Sequence, residues 1–247
     1  MLAALLTVCG LVLGKTAAVL LPNAYRDRPL AQAPIRCESC GRRATPTDLI
    51  PFSEVRSGAR CPECGRRDSI KWLLLPAGTA AVSLLHYLKF ESEDQAIVAG
   101  LFAAILGSLV ITDLSRRLLP DRIVLPAIAL AVGLSWMLPD SSLVESGIGA
   151  AGALGIAAVL VVGSLPFGSG AFGIGDAKLI VMLGVLLGLM GVIVAVFIAI
   201  IASGIVAASL LATRILHRRS HMPLGPFLAF GGIVTLLWGS QIWHWLF

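Results

Sequence analysis

Long apolar runs separated by short polar stretches make up most of this 247-residue chain. They fall at about 2–21, 73–90, 96–112, 123–138, 147–165, 177–189, 191–212 and 227–246. A helix needs roughly 20 apolar residues to cross hydrocarbon, so the pattern predicts an all-α polytopic membrane protein with about eight transmembrane helices. The sixth and seventh spans share one uncharged run, 179–212, which is too long for a single crossing. A tight reversal at Gly188, Met190 and Gly191 is expected to divide it. The first run, LAALLTVCGLVLGKTAAVLL, has neither a basic lead-in nor a small-residue cleavage site. It reads as an uncleaved span, with Lys15 snorkelling towards the nearer face.

Composition agrees with the pattern. Charged residues are 13% of the chain, against about 25% in soluble domains. The net charge of +5 could suggest nucleic acid, but ten of the 19 Lys and Arg lie between Tyr25 and Trp72, and most others sit in short loops. That distribution fits retention of basic loops on the cytoplasmic side, so no nucleic-acid partner is expected; the lipid bilayer is the partner that composition predicts. Loops 23–72, 113–117, 166–178 and 214–221 then face inward, while 91–95 and 139–146 face outward. Only Lys15 and Lys89 depart from the bias. Three regions follow: a first helix (1–22), a cytoplasmic loop (23–72) and a membrane-embedded region (73–247). Glycine-rich spans, such as Gly147, Gly149, Gly152 and Gly155, suggest closely packed helices.

The cytoplasmic loop carries CESC (37–40) and CPEC (61–64), two CxxC pairs each followed by Gly-Arg-Arg. Such knuckles offer four thiolates to one tetrahedral Zn²⁺. Cys37, Cys40, Cys61 and Cys64 are therefore candidate ligands in a small zinc-ribbon-like insertion. Two disulfides are the competing reading, disfavoured where thiols are kept reduced. With four cysteines no position is left for water, so the metal is expected to be structural, folding a loop too poor in apolar residues to build its own core. Cys9, alone in the first span, reads as a packing residue.

Two aspartates stand at the edges of apolar runs. Asp113 ends one and opens DLSRRLLPDRIVLP, and Asp176 lies in GIGDAK at the start of another. The alternation of loops puts both at the cytoplasmic mouths of their helices. Ionisable groups near hydrocarbon are costly and commonly functional. Two carboxyl groups that share a partly dry site cannot both ionise cheaply. One can then activate water while the protonated partner polarises a carbonyl. Gly173 and Gly175 would let an extended peptide backbone approach. Taken singly, each Asp also suits a helix cap, and Asp121 in LLPDR reads as ordinary turn and cap chemistry.

The order of D-LSRRLLP-D, then GIGDAKL with Gly184 and Gly188 downstream, then MPLGPFLAFGG (222–232), resembles the prepilin peptidase family, GxGD-type intramembrane aspartyl proteases. The resemblance covers nearly the whole chain, including a four-cysteine loop after the first span, a feature of bifunctional bacterial members. It implies that Asp113 and Asp176 are the catalytic pair, and that Gly173, Gly175 and Lys178 bind substrate or shape the site. Gly225-Pro226 matches a further motif position and reads as scaffold. The resemblance also implies removal of the short basic leader of type IV prepilins or pseudopilins, after a glycine, at the cytoplasmic face of the bacterial inner membrane. For many bacterial members it implies N-methylation of the new terminus with S-adenosylmethionine as well. Two family elements are replaced here, by GKTAAVLLPN in the first span and by SIKWLLLPAGTAA after the second knuckle.

Other classes compete on the residues alone. A transporter could use Asp113 and Asp176 to bind a coupling cation, since intramembrane carboxylates suit that role. Their place at the membrane edge and the lack of inverted halves weigh against it. A non-catalytic scaffold docking partners through the cysteine loop is the third reading.

Overall fold

The computed structural model describes residues 2–20, 64, 71–90, 92–116, 119–134, 137, 142–165, 172–213 and 223–246. Among these, the regular elements are helices, with no strand. They are α1 (Leu2–Leu20), α2 (Lys71–Phe90), α3 (Glu93–Arg116), α4 (Asp121–Leu134), α5 (Leu143–Ser164), α6 (Ile174–Ala212) and α7 (Gly225–Leu246). Four stretches are long and apolar enough to cross a bilayer: Glu93–Leu114, Leu143–Ser164, Ile174–Ala212 and Gly225–Leu246. A shorter apolar helix covers Ala3–Ala17. The chain is thus a multi-pass membrane protein whose described regular elements are all helices.

Two compact units are present, Met1–Ile111 and Thr112–Phe247. In the first, α1 and α2 run antiparallel with their backbones nearly touching. A Cβ on Gly10 would stand 2.8 Å from the Ala80 Cα, and one on Gly14 would stand 2.6 Å from the Pro76 Cα. Close approach is what small residues supply where hydrocarbon offers no driving force for association. On α3, Gly100 lies against Ser83 and Gly107 against Leu75. Pro76 cannot donate to the helical ladder, and Thr79 Oγ1 donates to the Leu75 carbonyl beside it at 2.6 Å. Lys15 differs from the sequence expectation. Instead of snorkelling to a surface it is fully buried.

The second unit contains the last turn of α3 and helices α4 to α7, and α6 is its spine. Leu179, Ile180, Met182, Leu183 and Leu186 are all fully buried. A straight helix of 39 residues would extend ~58 Å, about twice the hydrocarbon thickness. The run is broken at Gly188, whose φ of 71° and ψ of −178° are non-helical. Met190 and Gly191, expected to share the reversal, are helical. One residue suffices because that backbone region is open to glycine alone. Before the break, α6 packs against α5 through Gly184 on Gly149 and Ala153. Beyond it, α6 packs against α7 through Ala195 on Gly231.

Candidate active site

Asp113 occupies the last turn of α3, and its residue is 5% exposed. Asp176 is the third residue of α6, whose N-cap is Gly173. Both carboxylates therefore sit in the end turns of their helices, not at mid-helix. They lie in one unit and interact electrostatically.

The two oxygens of Asp176 have different surroundings. Oδ2 lies on the N-cap side of the helix and is the atom nearest to a Cβ built on Gly173, at 3.2 Å. Oδ1 is buried and has no hydrogen-bond partner. A buried acceptor without a partner is costly, and such exceptions need a reason.

The third element at the site was absent from the expected set. Gly225 begins α7, and a Cβ built on it would stand 2.6 Å from Asp113 Oδ2 and 3.5 Å from Asp176 Oδ1. Both carboxylates therefore converge within 3.5 Å of one point. MPLGPF marked the position as a motif, but nothing in a single sequence joins residues 113, 176 and 225 in space.

The remaining predicted residues frame this centre. Gly175 abuts Leu119, whose Cβ and Cδ1 would lie 3.0 Å from an added Cβ, so the strand of chain before α4 packs on the first turn of α6. Lys178 Nζ donates to Asp121 Oδ1 at 2.6 Å, and the side chains are 35% and 55% exposed. Lys178 is therefore a strut from α6 to the start of α4, and Asp121, read as a cap, is its anchor. Partly exposed ion pairs contribute about 0.2–1 kcal/mol. Lys178→Met or Asp121→Asn should thus lower cleavage by about 2–5-fold, with partial recovery in the swapped Lys178→Asp/Asp121→Lys variant. Rates from the full double-mutant cycle check this. Absence of recovery would mean that Lys178 meets the substrate directly.

Of the proposed zinc ligands, Cys64 is an exposed turn residue, while Cys37, Cys40 and Cys61 lie outside the described residues. Among the described residues no three His, Cys, Asp or Glu side chains gather as metal ligands.

Comparison with known proteins agrees with this architecture. Residues 100–208 match the type IV leader peptidase family, and residues 8–90 match the bacterial peptidase A24 N-terminal domain. A protein of Dichelobacter nodosus named prepilin leader peptidase/N-methyltransferase is 32% identical over 209 residues, 84% of this chain and 72% of its own. Proteins with the same name from Pseudomonas putida and Bacillus subtilis are 29% and 27% identical, covering 84% and 83% of this chain and 73% and 82% of theirs. No solved structure gives a significant match. With both family regions matched in order, and a relative 32% identical over most of each chain, this chain belongs to the type IV leader peptidase family and is a protease.

Proposed function

We propose that this protein is an aspartic endopeptidase that removes the basic leader of type IV prepilins or pseudopilins, cutting after a glycine. The observation that carries this reading is the convergence of Asp113 and Asp176 beside Gly225, with Asp176 Oδ1 buried and unpartnered. In the reaction, the ionised carboxyl group takes a proton from water as that water attacks the scissile carbonyl. The protonated one donates to the carbonyl oxygen. Collapse of the tetrahedral diol breaks the C–N bond, and the proton taken from water passes to the leaving amine. The relatives' names support the substrate class. About eight crossings of the bacterial inner membrane, with the site and the cysteine loop facing the cytoplasm, complete the proposal. This orientation puts the carboxylates where a basic leader would be retained.

A second reading is favoured by the relatives' double name and the match of residues 8–90. It is N-methylation of the new terminal residue with S-adenosylmethionine. Both are tested by incubating the purified full-length protein with a prepilin and S-adenosylmethionine. Leader removal shows as a mobility shift, and the mature N-terminus is read by mass spectrometry. An uncut prepilin refutes the peptidase; a cut but unmethylated product refutes the second activity alone.

Cys37, Cys40, Cys61 and Cys64 would hold one structural Zn²⁺, since four thiolates at this spacing match its tetrahedral preference. Bound metal would supply folding energy to the loop, in zinc-finger peptides about 10–16 kcal/mol of apparent binding. Cys61→Ser is expected to abolish zinc retention in elemental analysis and expose the loop to protease while leader cleavage continues. Undiminished zinc content would sink the assignment.

A further inference from the structure

The first residue of α7 is a glycine with no backbone reason to be one. Gly188 has the one positive φ found among the described glycines, so Gly225 adopts a conformation open to other residues. Its helix start is already fixed, because the Leu224 carbonyl accepts from the Phe227 and Leu228 amides at 3.0 and 3.1 Å. Alanine is the better helix former there. Helix packing gives no reason either. The three atoms nearest to an added Cβ are Asp113 Oδ2 at 2.6 Å, Asp113 Cγ at 3.1 Å and Asp176 Oδ1 at 3.5 Å. Every one of them belongs to a site carboxylate. The first separation is below 3.0 Å, a distance that real Cβ atoms essentially never show. Residue 225 also lies beyond the stretch, 100–208, matched by the peptidase family.

We propose that Gly225 is the third wall of the hydrolytic site, its missing side chain keeping open the space that the two carboxylates share with the lytic water and the scissile carbonyl. This rests on the aspartic-protease reading of Asp113 and Asp176. The buried, unpartnered Asp176 Oδ1 faces that same space. A carboxylate oxygen left so is expected to bind a water or a substrate group. A methyl group on residue 225 would push the Asp113 carboxylate aside and narrow the opening. Gly225 is thus a positioning residue, acting through the two acids and the room beside them.

The test is Gly225→Ala in the full-length enzyme, assayed on a purified prepilin. Gly204→Ala serves as the control, because a Cβ there meets nothing within 4 Å. The expected result is a kcat lower by about 10²-fold or more, the scale of a misplaced reacting group. KM should stay within about threefold, as for loss of a contribution confined to the transition state. The thermal midpoint should match that of the parent, and Gly204→Ala should cleave normally. A Gly225→Ala enzyme that keeps its kcat overturns the proposal. A parallel loss of kcat, KM and thermal stability also overturns it, since packing alone would then account for the glycine. Asp113→Asn and Asp176→Asn are assayed alongside. If they are inactive while Gly225→Ala is active, only the role of Gly225 falls; if they cleave, the protease assignment falls first. Should Gly225→Ala not accumulate as folded protein, a high-resolution map of the parent enzyme decides. Water on the Cα face of Gly225, within hydrogen-bond reach of both acids, supports the proposal, and protein atoms filling that place refute it.

Discussion

Asp113→Asn and Asp176→Asn should each lower kcat for leader removal by about 10²–10⁴-fold, the usual contribution of a positioned general acid or base. Asn preserves the shape of Asp, so the effect is chemical. An amide can neither take the proton from water nor return it. The double variant should be scarcely slower than either single one, because members of a catalytic unit lose their effects together. The parent enzyme should show a bell-shaped dependence of kcat/KM on pH, as expected when one carboxyl group must be ionised and its neighbour protonated. Quantitative cleavage assays on the four proteins check these outcomes. A double variant slower by the product of the single effects would refute the cooperative pair.

The same substitutions separate catalysis from architecture. Asp176 Oδ1 is buried without a partner, close to a second buried acid. Burying an unpartnered carboxyl group beside a second acid costs folding free energy, so replacing one should leave the thermal midpoint in detergent unchanged or raise it. Were capping of α6 the main task of Asp176, the substitution would instead lower stability and spare cleavage. Function held at some cost in stability is common at active sites.

The pair was legible in the sequence because two independent signals agreed. The apolar runs placed each acid near a helix end, and the alternation of basic and acidic loops predicted that both ends share a face. GIGDAK also revealed a helix start, since a Gly-rich turn before an apolar run leaves little else to predict. Lys178 was visible as a candidate, but its partner Asp121 is 57 positions away and resembled a simple cap. Gly225 was harder still. A glycine used for room is defined by the atoms that a side chain would strike, and those belong to helices 49 and more residues earlier. The long run 179–212 announced a break, and the cluster of Gly188, Met190 and Gly191 located it to within three residues. Which residue breaks depends on backbone torsions, and only Gly188 takes the one closed to other residues.

Glycine substitutions along α5 and α6 should change sign from one position to the next. Gly149→Ala is expected to destabilise the protein by about 1–3 kcal/mol or more, the range for overpacking. Its Cβ would strike the Gly184 carbonyl and stand 2.7 Å from the Gly188 Cα. Those atoms are backbone, so no side chain can swing away, and α5 and α6 must part. On the same helix, Gly155 has nothing within 4 Å of an added Cβ. Gly155→Ala should therefore stabilise by about 0.5–1 kcal/mol through helix preference alone. Gly188→Ala isolates the third cause. The nearest atom to its Cβ would be the Glu145 carbonyl oxygen at 4.0 Å, so space is available. The φ of 71° with ψ near 180° is what alanine resists, at about 1–3 kcal/mol. Thermal midpoints of the three variants in one detergent test the assignment. Gly149→Ala and Gly188→Ala should fall while Gly155→Ala rises. Equal losses at all three would mean that helix flexibility, rather than contact and torsion, sets the need for glycine. The first piece of α6 carries Asp176 to the site. Gly149→Ala and Gly188→Ala should therefore also slow cleavage, and by less than the aspartate substitutions, because they disturb the support and leave the reacting groups in place.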